Sequence, residues 1–390
     1  MRLKTSPSSP RINSTQSRWK TLLLSGVVIG GVISQSPLVQ QKPTASLNPP
    51  SESKSSLKRS SFTRLKGTKE DTIIPTVEYD VDGNCKALPF IRPAGTYFLN
   101  ADIQPAPSPE AVTPAFHVGS FLANKVTHHM LGDIPHFELI KELLEGKEGG
   151  LTLDIGANQG FYTYYLAALG MEVHAFEIQE ANFVSLQHGA EYNPKEVAEQ
   201  VFVYPVGLGT RTGRMSMGGS TYDGHLKGIV GLNDGTIQTT SVDCFVYQNI
   251  QNLGNDLLSN VAFVKIDVEG FEIAVLQGAR QSLFGPQGHV GGLIMEVGPS
   301  RWNRAFVSFN IGVQEMKKVA GHFQQSYILV RTSGTFVQSC PTSLVKGVIQ
   351  DTNPRVLEGA EMYKMEMDEW EPVLSKLNEI EGDCNFWYIN

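Results

Sequence analysis

Residues 151–160 read LTLDIGANQG, and this stretch decides the fold. LTLDIG reads as a short buried strand that breaks directly into a turn carrying Asp154, Gly156, Asn158 and Gly160. Gly156 and Gly160 lack side chains, so backbone passes close to a ligand lying across the edge of a sheet. Asn158 stands where a middle glycine would complete a G-x-G-x-G pattern, and asparagine tolerates left-handed dihedrals better than most residues. FYTYYLAALG (161–170) then reads as a helix closed by Gly170. Its N-terminus offers free N–H groups and a positive dipole end beside the turn.

Working outward, a second strand, Glu172–Phe176, ends at Glu177, 21 residues beyond Gly156. An acid at that place accepts the hydroxyl hydrogens of a nucleoside ribose. The competing reading is a purely structural turn and a solvated strand-end acid. A helix over 181–190 and a strand over 201–206 continue the alternation. Residues 207–238, with nine glycines, interrupt it as a hairpin, a loop beside the cofactor cleft or a disordered insertion. Val261–Ile266 is continuous enough for a central parallel strand. It runs straight into DVEGFE (267–272), which sets carboxylates at the carboxyl end of that strand, where open α/β sheets bind ligands. A helix over 272–283, a strand over 291–297 ending near Glu296, a helix over 313–320 and a strand over 327–330 follow. The order predicts a Rossmann-like, doubly wound, mostly parallel sheet of seven strands.

Before that core, TLLLSGVVIGGVIS (21–34) follows a basic start containing Arg2, Lys4, Arg11, Arg18 and Lys20. Extended to residue 39, it is close to the minimum length for a bilayer span, and the flanking charge predicts a cytosolic tail (1–20) and a signal anchor (21–39). A disordered Pro/Ser-rich stem (40–74) would hold a luminal catalytic domain off the membrane, in the secretory pathway or Golgi. The alternatives are a cleaved signal, giving a secreted protein, or an organellar transit peptide. The remaining divisions are an N-terminal cap (75–147), a catalytic domain (148–334) and a C-terminal extension (335–390) packed on it.

The first 70 residues carry 12 Lys/Arg and two acids, whereas the remaining 320 carry 20 Lys/Arg against 37 Asp/Glu. An acidic body disfavours phosphate backbones, so no nucleic-acid partner is expected. Cys85, Cys244, Cys340 and Cys384 form no C-x-x-C pair. They read either as disulfides stapling the extensions or as buried thiols.

LDIGANQGFYTYYLAALG, VHAFEIQE, VKIDVEGFEIAVLQGA and LIMEVG together resemble the FkbM-type S-adenosylmethionine-dependent methyltransferases, over residues 137–334. The first element is common to many class I methyltransferases, whereas D-V-E-G-[FY]-E followed by V-L-x-G-A is distinctive. SVDCFV (241–246) resembles a further element of the family, with Cys244 where an acid is common. The resemblance implies S-adenosyl-L-methionine as cofactor, its methionine part over Asp154, Gly156, Asn158 and Gly160 and its ribose on Glu177. Adenine would lie near Val206 and Gly207. The implied reaction is methyl transfer to a hydroxyl of a small molecule, sugar or glycan. Because the sulfonium leaving group is already activated, the protein's task is alignment and removal of the acceptor's proton. Asp267 and Glu269 are the leading candidates for that base and Glu296 is a third. Clustered acids admit Mg²⁺, but no spacing demands it and no metal is expected. The principal alternative is a non-catalytic scaffold or glycan-binding protein, against which every cofactor motif is intact. A nicotinamide oxidoreductase would leave DVEGFE without a role.

Overall fold

In the computed structural model the 151–160 stretch lies in the middle of a nine-stranded mixed sheet. The structure describes residues 103–120, 123–217, 229–232, 237–246, 261–286, 288–333 and 335–390. All fall within the larger of two units, 71–390, into which the chain divides. Strands β1 (Gln104–Pro107) and β2 (His117–Ser120) form an antiparallel pair, followed by α1 (Ala123–Gly132) and α2 (Ile134–Leu144). Alternation then begins with β3 (Leu151–Ile155), α3 (Phe161–Ala168), β4 (Glu172–Phe176), α4 (Glu180–Gly189), the single turn α5 (Lys195–Ala198) and β5 (Val201–Tyr204). A separate four-stranded sheet interrupts it, made of β6 (Gly207–Leu208), β7 (Gly213–Met217), β8 (Ile229–Leu232) and β9 (Ile237–Thr240). After α6 (Val242–Phe245) the main sheet resumes with β10 (Val261–Ile266), α7 (Glu272–Gln277), β11 (Gly292–Val297), α8 (Phe309–Ala320) and β12 (Gln325–Arg331). It finishes with β13 (Arg355–Leu357), β14 (Ala360–Lys364), α9 (Trp370–Glu379) and β15 (Cys384–Ile389).

Strand order is β13-β14-β12-β15-β11-β10-β3-β4-β5. The five strands from β11 to β5 are parallel, and β15 runs antiparallel between β11 and β12. The expected count of seven is therefore corrected to nine. Residues beyond 334 bring β15 into the sheet interior and add the β13–β14 pair at one edge. The order reverses between β3 and β10, which opens a crevice at their carboxyl ends.

The sheet is covered on both faces. Phe137 and Ile140 of α2 and Tyr164 and Tyr165 of α3 pack with Val173 and Ala175 of β4 on one side. Ile273 of α7, Met316 of α8 and Leu374 of α9 pack with Leu153, Val264 and Leu293 on the other. Each such buried Phe, Ile, Leu, Met or Val side chain contributes about 1.5–3 kcal/mol of transfer free energy. The α3 terminus shows how local sequence sets the chain direction. Gly170, at φ +82°, closes the helix while Gly170 N donates to Ala167 O and Met171 N to Leu166 O, the two bonds of a Schellman stop.

The membrane expectation is corrected. Among the described residues no helix is long and apolar enough to cross a membrane; α8, with 12 residues, spans about 18 Å where a bilayer core needs about 30 Å. The segments read as tail, anchor and stem (1–20, 21–39 and 40–74) lie outside the described residues. The single-pass topology, the membrane as partner and the luminal location are withdrawn with it.

Candidate active site

The turn after β3 is tied to the end of β4 by backbone. Gly156 N and Ala157 N both donate to Phe176 O, at 3.0 and 2.9 Å. Gly156 has φ +83°, and a Cβ there would overlap the Asp267 carbonyl at the end of β10. Asn158, at φ +51°, turns its N–H onto Glu177 Oε2 at 2.7 Å, while Gln179 N donates to Glu177 Oε1 at 2.7 Å. Glu177 is buried, and burial pushes its carboxyl pKa up to about 7 against the pull of those N–H groups. Each oxygen retains lone-pair capacity for a further donor.

Two cavities meet at this turn. The first is an apolar slot walled by Phe176, Ile178, Val206, Leu208, Met215 and Ile237, with Glu177 beside it. The second is a polar chamber of about 490 Å³ that holds Tyr162, His136, Glu296, Arg301, Arg331 and Asp383. Asn158, Asp267 and Glu269 line both.

Of the residues singled out from sequence, Gly156, Asn158 and Glu177 face the slot, and Asp267, Glu269 and Glu296 face the chamber. Asp154 and Gly160 line neither. Asp154 is fully buried beneath the turn, with Oδ2 accepting from Thr163 Oγ1 at 2.5 Å and Oδ1 3.5 Å from Lys265 Nζ. Gly160, at φ +94°, lets α3 approach α4, since a Cβ would strike Leu186 and Tyr164. His174 is a core residue, stacked on Phe202 and bonded to Tyr204 Oη at 2.9 Å.

Several participants were not singled out from sequence. Lys265 is buried, donates to Gly156 O at 2.6 Å and lies 3.6 Å from Asp267 Oδ2. Burial alone would lower its pKa, but Asp267, Asp154 and Glu296 outweigh it and hold the ammonium charged. A lysine inside the otherwise apolar VAFVKI was a readable signal. Arg301 was not, because it sits in a short 3-10 segment, Pro299–Ala305. Its guanidinium bonds Glu269 Oε2 at 2.5 Å, Glu296 Oε1 at 2.9 Å and Asp383 Oδ2 at 3.0 Å. Arg304 Nη1 adds a bond to Glu269 O at 2.9 Å. Glu269 itself has φ +57°, a strained conformation for a side-chain-bearing residue. Oxygens of Asp267, Glu269 and Glu296 all lie within 4.8 Å of one another. Burial, then the charges of Asp267 and Asp383, push the Glu296 carboxyl well above the usual carboxylate range despite Arg301.

On the opposite wall His136 Nδ1 lies 2.7 Å from Tyr162 Oη and 3.3 Å from Asp133 Oδ1, and His136 Nε2 lies 3.4 Å from Arg331 Nη2. Arginine only donates, so Nε2 is the acceptor and Nδ1 carries the ring proton. Burial, reinforced by Arg331, lowers the His136 pKa and keeps the ring neutral. Tyr162 Oη accepts that proton's hydrogen bond, which leaves its own hydrogen to be donated into the chamber. Its pKa is raised well above the ordinary value by burial, so it stays a donor.

The chemistry of the slot suits an adenosyl group, with apolar walls for a base and a buried carboxylate beside them for a ribose diol. A doubly wound sheet with such a slot at its switch point defines an α/β enzyme that works with a nucleoside-bearing cofactor. Residues 154–318 match the Methyltransferase FkbM domain. The chain thus contains an FkbM-type methyltransferase domain, an enzyme domain whose cofactor is S-adenosylmethionine.

Solved structures show weaker likenesses. A precorrin-6y C5,15-methyltransferase from Geobacter metallireducens GS-15 is 10% identical, over 52% of this chain and 79% of that one, with a TM-score of 0.29. The glycopeptide N-methyltransferase MtfA complexed with sinefungin is 16% identical over 41% and 49%, with a TM-score of 0.22. A geranyl diphosphate C-methyltransferase from Streptomyces coelicolor A3(2) is 10% identical over 75% and 90%, with a TM-score of 0.28. At these TM-scores none of the three bears on the reading of the site. No curated protein matches the chain.

Proposed function

We propose that this methyltransferase acts on a hydroxyl oxygen of a small molecule, sugar or glycan bound in the polar chamber. The observation that carries the proposal is the meeting of slot and chamber at Asn158, Asp267 and Glu269. In this reading Gly156, Asn158 and Glu177 hold the cofactor, with Glu177 on the ribose and the walls around Val206 and Leu208 on the adenine. Asp154 and Gly160 shape the turn from below. Bound S-adenosylmethionine supplies a methyl group already activated by its sulfonium, so the chain's work is alignment and proton removal.

Asp267 is the proposed base. Glu269 is engaged by Arg301 and Arg304, and Glu296 is bound to Arg301, with its carboxyl pKa raised by burial and the nearby acids. Asp267 faces Lys265 at 3.6 Å and lies where the two cavities join. Tyr162 then serves as a donor to acceptor oxygens, and Glu269 and Glu296, held by Arg301, as their polar partners. Residues 148–334 form the catalytic core, and the cap, described from residue 103, lends Asp133 and His136 to the chamber wall.

The test is a labelled-methyl transfer screen against glycan, lipid and small-alcohol pools, run on wild type and D267N. Incorporation into an alkali-stable ether by wild type, and its loss by 10²-fold or more in D267N with cofactor affinity retained, is the expected result. Label confined to amines or carbons would overturn the hydroxyl assignment.

A further inference from the structure

We propose that Arg301 is the resident cation of the polar chamber: its guanidinium stands where the carboxylates would otherwise recruit a divalent metal, and it fixes their positions. The proposal rests on reading the chamber as the acceptor half of the site.

Three carboxylates from separate parts of the chain converge on one guanidinium. Glu269 comes from the β10–α7 turn, Glu296 from the end of β11 and Asp383 from the residue before β15, and Arg301 bonds all three at 2.5–3.0 Å. The grouping of Asp267, Glu269 and Glu296 is compact enough to ligate a cation. A metal would need those same oxygens at 2.0–2.6 Å, and the guanidinium already engages two of them.

Arg301 is not a surface arginine that swung inward. Its side chain is 15% exposed, and its backbone carbonyl lies against Gly270, which at φ +104° has no room for a Cβ. Its side chain also packs over Gly298, where a Cβ would strike the guanidinium. Arg304, one turn further along the same 3-10 segment, fastens the carbonyl of Glu269. Backbone and side chain of Glu269 are therefore held from one short segment, which offsets the strain of its left-handed conformation. A planar, multiply donating guanidinium does this in a way an ammonium does not. Arg301 acts through the acids and is a positioning residue.

The experiment compares EDTA-treated wild type, R301Q and R301K for binding of Mn²⁺ by paramagnetic resonance. S-adenosylhomocysteine affinity is measured on each to report an intact fold. Wild type and R301K are expected to bind no Mn²⁺ at this site up to about 1 mM, whereas R301Q gains one site at about 10⁻⁴–10⁻³ M, in the range of weak carboxylate sites. The gained site should disappear in R301Q/E296Q. A stoichiometric Mn²⁺ in wild type that E296Q removes would overturn the proposal, and so would an R301Q protein that binds S-adenosylhomocysteine normally yet gains no site. The wild-type arm stands even where R301Q does not fold. None of these readouts needs turnover, so failure of the hydroxyl-acceptor reading shows in the methyl-transfer screen and leaves the metal result separate.

Discussion

Glu177 illustrates how one buried carboxylate links stability to ligand binding. Its pKa near 7 in the folded chain lies above the ordinary 4.5, so the folded state holds its proton longer than the unfolded state. That contribution to stability is fully present below about pH 4.5 and is lost as pH rises through about 7. With Glu177 on the ribose, as proposed, cofactor binding would run the other way, because an ionised carboxylate is the better acceptor for two hydroxyls. Affinity for S-adenosylhomocysteine, measured by calorimetry from pH 5.5 to 8, should rise through about pH 7 and level off towards pH 8. E177Q should bind at least 10-fold more weakly at pH 8 and lose that slope; an unchanged slope would remove Glu177 from the ribose. Tyr162 gives a second expectation. Y162F keeps the packing against Phe137 but removes the donor, so acceptor KM should rise several-fold while S-adenosylhomocysteine Kd stays within twofold. A large loss of cofactor affinity instead would place the hydroxyl on the cofactor's methionine end.

Between β3 and α3, and again between β10 and α7, the chain makes turns that tolerate no added carbon. G156A puts a methyl group into the Asp267 carbonyl at positive φ, and G270A puts one into the backbone of Arg301. Both should destabilise by more than the about 1 kcal/mol of an ordinary positive-φ substitution, checked by urea unfolding. G270A should also disturb the acceptor side more than the cofactor side. These elements were legible in sequence because their signals are local: glycines, a helix stop at Gly170 and an acid at residue 177 all fall within 30 residues. The helix expected over 272–283 ends instead at Gln277, because Gly278 packs against the backbone of Gly209 and the chain turns there. Residues 207–238 were the least readable, and their described parts, β6, β7, β8 and the start of β9, form a small sheet whose Met215 and Ile237 wall the slot.

Across the whole molecule, the chamber depends on residues that sequence periodicity could not bring together. Asp133 and His136 come from the cap, Arg301 from a 3-10 segment, Arg331 from β12 and Asp383 from the approach to β15. CNFWYI (384–389) reads as an apolar island, because a strand buried on both faces shows no alternation; Phe386, Trp387 and Tyr388 are all fully enclosed. A disulfide joins Cys340 to Cys384 across 44 residues, Cα to Cα 5.1 Å. By loop entropy such a crosslink contributes about 4 kcal/mol at most. C384S, or reduction of the wild type, should lower Tm, read by differential scanning calorimetry. Because Cys340 and Asp383 line the chamber, acceptor binding should weaken before cofactor binding does. An unchanged Tm would mean that the bond adds nothing to the folded state.

The position of β15 also bears on synthesis. This strand lies between β11 and β12, which are made tens of residues earlier. Until residues 384–389 pair, the facing edges of β11 and β12 lack the strand that joins them. Ribosome-bound chains stalled before residue 384 should consequently be the species that chaperones hold.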